Sequence, residues 1–185
     1  MKKIIINLIS ILLLLFTSCN YNHTETATTQ EPLKLLRDSL INTIGVLEKQ
    51  LSTQQTIDYK LGGEMVNAYL DFFNRFPKDD LSPNYLYKAG DVSMNLGQSE
   101  KGIELFNKVH EFYPKYAKAS FALFLQGFIY ETQLKDMAKA RELYTLVVRE
   151  YPNTKIAEDA KASIANLGKS DDELIKEFEA KNKIK

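Results

Sequence analysis

Reactive side chains are few in this chain, and their spacing excludes most chemistry. The 185 residues hold two histidines, His23 and His110, and one cysteine, Cys19. They lie far apart, and no carboxylates join them at the spacing that a zinc ion requires, so no metal site is expected. The adjacent acids Asp79 and Asp80 come nearest to a general acid and base. Placed in a turn beside Lys78, they read as solvated charges. No nucleophile elbow, phosphate loop or glycine-rich dinucleotide fingerprint occurs. The expectation is a non-enzymatic chain with no catalytic residue, metal or cofactor.

Composition narrows the partners. Hydrophobic residues make up 44% and charged residues 26%, the profile of one folded domain. Basic and acidic side chains balance at 24 each, and removal of a leader containing Lys2 and Lys3 leaves 22 against 24, a net charge near −2. Such a chain has no long-range field for a phosphate backbone, so nucleic acid is excluded as a partner.

Lys2 and Lys3 precede an apolar run from Ile4 to Phe16, broken only by Asn7 and Ser10 and followed by Thr17, Ser18 and Cys19. Thirteen residues is the length of a signal-peptide core and falls short of the roughly 20 that span a bilayer. Leu15, Phe16, Thr17, Ser18 and Cys19 make this leader resemble a bacterial lipoprotein signal, although the family more often places leucine where Phe16 stands. The resemblance implies cleavage after residue 18 and a diacylglycerol on Cys19 through a thioether, with fatty acyl chains such as palmitate holding the protein to a membrane. Asn20 after the cysteine implies transfer to the outer membrane, facing the periplasm. The other reading is an ordinary secretory leader with an incidental cysteine. Residues 19–31, rich in threonine and poor in apolar side chains, read as a flexible tether.

The remainder is punctuated for helices. Leu33, Leu36, Leu40, Ile44, Leu47 and Leu51 recur at spacings of three and four, predicting an amphipathic helix that Pro32 opens. Its stripe packs on the next helix or serves self-association. Leu61, Met65, Tyr69, Phe72 and Phe76 mark a second helix, whose first turns Gly62 and Gly63 should fray or delay. Beyond Pro77, Ser82 is the expected cap of a third helix ending at Gly97. Helices are further expected from about Ser99 to Phe112, Tyr116 to Thr132, Met137 to Glu150 and Thr154 to Gly168. Ser170 and Glu173 form a capping-box signature for a last one.

One pattern occurs three times. Tyr69 precedes Phe76 and Pro77, Phe106 precedes Tyr113 and Pro114, and Tyr144 precedes Tyr151 and Pro152, with the prolines 37 and 38 residues apart. A fixed period of this length marks a helical repeat array. Leu86, Gly90, Gly97, Gly102, Phe106 and Pro114, then Leu123, Gly127, Tyr130, Ala140, Tyr144 and Pro152, make the chain resemble the tetratricopeptide-repeat family of paired antiparallel helices. The fold class that follows is all-α: a short tetratricopeptide-like solenoid over 57–181, preceded by an amphipathic helix within 32–56, a tether over 19–31 and a lipoprotein signal peptide over 1–18, with a tail at 182–185. Small residues at Gly90, Gly102, Gly127 and Ala140 let helices approach, while Phe106 and Tyr144 fill the gaps between pairs.

First helices of such pairs line the inner curve. Projecting the family's inward positions selects Asn84, Tyr87, Asp91 and Asn95, then Phe124, Phe128 and Glu131, as a partner-binding groove. The plainer alternative is that Phe121, Phe124, Leu125 and Phe128 pack inside. The resemblance implies a lipid-anchored scaffold that holds other envelope proteins or peptides. A small-ligand or glycan-binding lipoprotein is the rival, requiring a deep pocket with convergent polar groups.

Overall fold

Each of the three aromatic–proline signatures closes a helix. The computed structural model describes residues 25–54, 56 and 58–182, in which eight helices and no strand occur. They are α1 (Glu25–Ser52), α2 (Tyr59–Arg75), α3 (Ser82–Asn95), α4 (Ser99–Phe112), α5 (Ala119–Thr132), α6 (Met137–Glu150), α7 (Lys155–Asn166) and α8 (Asp171–Asn182). From α1 to α7 each helix packs on its neighbour in sequence, and α5 also meets α7. This is a helical-repeat stack. Cys19 and the leader lie outside the described residues.

The repeated ring sits at the same place in three helices. Tyr69, Phe106 and Tyr144, on α2, α4 and α6, are at most 3% exposed. A neighbouring glycine makes room for two of them. A Cβ on Gly90 would stand 2.9 Å from the Phe106 ring, and one on Gly127 would stand 2.8 Å from Tyr144. Gly102 and Ala140 are buried as expected, Gly102 under Ile129. Large rings set against missing side chains bring the axes together, and burial of such rings is the main apolar stabilisation. Gly97 and Gly168 end α3 and α7 with φ of 72° and 83°, the left-handed geometry expected of them.

Several boundaries depart from expectation. Helix α1 reaches back to Glu25, into the segment read as tether, and Pro32 lies inside it. An interior proline costs about 3 kcal/mol, but residues 30–35 are all exposed, so a carbonyl freed by the missing N–H can turn to water. The packed stripe holds Leu36, Leu40, Ile44, Leu47 and Leu51, with Ile44 fully buried, whereas Leu33 is exposed. Helix α2 does not start late, because Asp58 caps it by accepting from the Leu61 N–H at 2.9 Å. Gly62 is a packing residue there: an added Cβ would lie 2.9 Å from Leu96.

The α2–α3 turn also works differently. Ser82 does not cap α3; its hydroxyl donates to the Phe76 carbonyl at 2.5 Å, at the end of α2. Asp79 takes over the turn by accepting from the Leu81 N–H at 2.9 Å. Nor is Asp79 a solvated charge. Arg37 grips it with two donors, Nε at 2.5 Å and a terminal nitrogen at 3.3 Å, and that guanidinium holds its carboxyl below the usual range. Helix α5 begins at Ala119, three residues later than expected, after a turn in which the Tyr113 and Tyr116 carbonyls accept from the Tyr116 and Ala119 N–H groups. Ser170 and Glu173 form the expected reciprocal cap of α8.

Candidate partner-binding face

The α3 and α5 helices meet through rings. Tyr87 on α3 stacks on Phe121 of α5 with centroids 6.4 Å apart, Phe121 stacks on Phe124 at 6.0 Å, and Phe124 tilts against Tyr144 at 5.0 Å. The spacing of three between Phe121 and Phe124 puts both on one side of α5. Both are half-buried, Leu125 is buried, and Phe128, one turn beyond Phe124, is 39% exposed. The stripe is therefore part core and part surface. The ammonium of Lys118 lies 4.6 Å from the Tyr87 ring centre, a cation–π contact at the edge of this row.

The polar members occupy distinct places. Asn84 is half-buried and accepts from the Tyr116 hydroxyl at 3.1 Å, which ties the start of α3 to the turn before α5. Glu131 accepts from the buried Tyr144 hydroxyl at 2.6 Å, so its carboxylate is engaged within the fold. Asn95 is exposed, and its amide donates to the Asp91 carbonyl at 2.9 Å. Asp91 is half-buried; burial pushes its carboxyl up, and the Lys118 charge opposes the rise. Burial, assisted by the Asp91 charge, also pushes the Tyr87 phenol up to about 12. That tyrosine stays neutral at any ordinary pH.

Asp91 and Asn95 share a cleft of about 380 Å³ with Leu51, Gln54 and Asp58 of the α1–α2 junction. The seven projected residues thus divide three ways. Asn84 and Glu131 serve internal hydrogen bonds, Tyr87 and Phe124 join a ring row that ends near Phe128, and Asp91 with Asn95 walls a cleft. Projection missed Phe121, Lys118 and Tyr116. Phe121 stands three residues before Phe124 and was legible by that spacing; the other two lie in a turn that helical projection does not reach.

His110 is wedged between units. Its Nε2 lies 3.2 Å from Glu150 and its Nδ1 lies 3.1 Å from the Tyr151 hydroxyl, joining α4 to the end of α6. Among the described residues no group of three histidine, cysteine or acidic side chains could hold a metal ion. Nor, among them, is any helix long and apolar enough to cross a membrane.

The tetratricopeptide-repeat family model matches residues 85–116 and 121–154. No curated protein matches the chain significantly. The matched spans coincide with the α3–α4 and α5–α6 hairpins, each with a ring of its second helix seated on a glycine of its first. Those two hairpins are similar to tetratricopeptide repeats, a unit that generally mediates contacts between proteins.

Proposed function

We propose that this protein is a lipid-anchored adaptor of the bacterial cell envelope, tethered through Cys19 to the outer membrane on its periplasmic side, and that it holds another envelope protein or peptide against α3 and α5. The observation that carries the reading is the ring row from Tyr87 through Phe121 and Phe124, which ends beside the exposed Phe128. Half-exposed rings with few rotatable bonds are the side chains that dominate binding energy at protein interfaces. The leader sequence supports the anchor, because a basic start, an apolar core and a cysteine after small residues fit a lipoprotein signal. Two acyl chains suffice for stable attachment.

A photoreactive residue in place of Phe128, activated in cells, tests the docking face. Capture of a defined envelope protein is expected, and repeated absence of any protein adduct removes the adaptor role. Cys19→Ala tests the anchor separately. Release of the chain from the membrane fraction is expected, and retention would overturn lipid attachment at Cys19.

A further inference from the structure

The C-terminal half of α3 faces a cleft whose chemistry differs from that of the ring row. Leu51, Val92 and Leu96 give it apolar walls, and Gln54, Asp58, Asp91 and Asn95 give it polar ones. Among the described residues it holds two carboxylates and no basic side chain. One oxygen of Asp58 is spent on capping α2. The Asn95 amide N–H donates to the Asp91 carbonyl, which leaves the Asn95 side-chain oxygen as an acceptor. The Asp91 carboxylate accepts no hydrogen bond among the described residues. Its compensating charge is Lys118, whose ammonium is seated over Tyr87. A second cleft of about 300 Å³ shares Leu51, Asp91 and Val92 and is also lined by Lys88, whose ammonium donates to Glu48 at 2.6 Å.

We propose that this cleft receives the guanidinium of an arginine carried by the polypeptide docked along α3 and α5. The proposal rests on the docking reading above and adds the chemistry of the occupant. A guanidinium brings five donors and no acceptor, and its planar fork pairs with both oxygens of a carboxylate. Asp91 brings those oxygens, and Asn95 and Gln54, whose amides carry further acceptors, line the same cleft. The three methylenes of an arginine stem suit the Leu51, Val92 and Leu96 walls, since long basic side chains bury their stems while the head keeps polar company. An anionic or purely apolar occupant would leave a half-buried carboxylate unpaired, which is costly. A cavity of this volume lies in the range that holds a ligand group of this size.

The test uses the full-length chain in detergent and two acetylated, amidated tripeptides, Gly-Arg-Gly and its citrulline counterpart, which keeps the shape and removes the charge. Saturation-transfer NMR reads transfer to the side-chain methylenes. The arginine tripeptide is expected to bind at least about tenfold more tightly than the citrulline one, the loss typical of removing one partner of a charge pair. Asp91→Asn should reduce arginine binding to the citrulline level without lowering the unfolding temperature. Equal binding of the two peptides, no transfer at millimolar concentration, or an unaltered Asp91→Asn response overturns the proposal. Free arginine binding as tightly as the tripeptide overturns the polypeptide source. Crosslinking at Phe128 does not touch this cleft, so failure of the arginine reading and failure of the docking reading are told apart.

Discussion

The buried hydroxyl of Tyr144 donates to Glu131 at 2.6 Å, and the same bond is made two units earlier by Tyr69 to Glu48 at 2.8 Å. Between them, where the ring is Phe106, no hydroxyl needs an acceptor. Each tyrosine thus carries its polar tip to the rim of the stack, where a carboxylate on the preceding helix receives it. Burial, and then that bond, hold both phenols protonated well above their ordinary range.

The ring and its hydroxyl separate cleanly by mutation. Tyr144→Phe removes one hydrogen bond to a half-exposed acceptor that water can solvate, and should cost about 1 kcal/mol. Tyr144→Ala or Phe106→Ala removes the ring as well and should cost about 3 to 5 kcal/mol. Urea unfolding of the three variants checks the order. Equal losses for Tyr144→Phe and Tyr144→Ala would mean that the ring does not hold the units together.

Two glycines should respond in opposite directions to alanine. Gly127→Ala places a methyl 2.8 Å from the Tyr144 ring and forces that packed aromatic to move, a loss of about 1 to 3 kcal/mol. Gly63→Ala meets nothing within 4 Å and lies within α2, so it should gain about 0.5 to 1 kcal/mol through helix propensity. Thermal melts that move the same way for both would contradict the close approach of α5 and α6.

Acid should loosen the hold on α1. The Asp79 carboxyl is lowered in the folded chain, first by its hydrogen bond to Arg37. A group with a depressed folded pKa contributes stability that is present above its unfolded value, about 3.9, and is lost as pH falls through the folded value. Arg37→Met should therefore destabilise the protein at pH 7, and the difference from the parent chain should shrink below about pH 4. Denaturant midpoints at pH 7 and pH 3 read it directly. A gap of the same size at both would remove Asp79 as the titrating partner.

Phe124 and Phe128 differ in what they support. Phe124 touches Phe121 and Tyr144, so Phe124→Ala should lower both stability and partner capture. Phe128 is far more open, so Phe128→Ser should leave stability within about 1 kcal/mol and still reduce capture. Pairing melting curves with crosslink yield in cells distinguishes them. Undiminished capture with Phe128→Ser would move the docking site elsewhere.

Helices, their order and the register of the buried rings were legible because each leaves a local mark: a period of three and four, a proline after an aromatic, a glycine at a stop. Less legible were features created by residues distant in sequence. Arg37 and Asp79 are 42 positions apart, and nothing near either announces the other. Their meeting explains why the α1 stripe fails at Leu33: the α2–α3 turn is reached at Arg37, and Leu33 lies one turn past the end of its partner. Gly62 looked like a helix breaker for the same reason, since the Leu96 side chain that fills its space comes from a different helix. The face of α3 and α5 was legible as a direction, but projection could not separate Glu131, engaged by its own repeat, from Phe128, which is open.

The clasp between Arg37 and Asp79 also orients the array. It places the early part of α1 beside the edge where second helices hand over to first ones, the edge along which the Tyr113 hydroxyl reaches the Pro77 carbonyl at 2.5 Å. Helix α1 continues past that rim to Glu25, so the start of the described chain lies on the side of the proline turns, whereas the Asp91 recess lies toward the other end of α3.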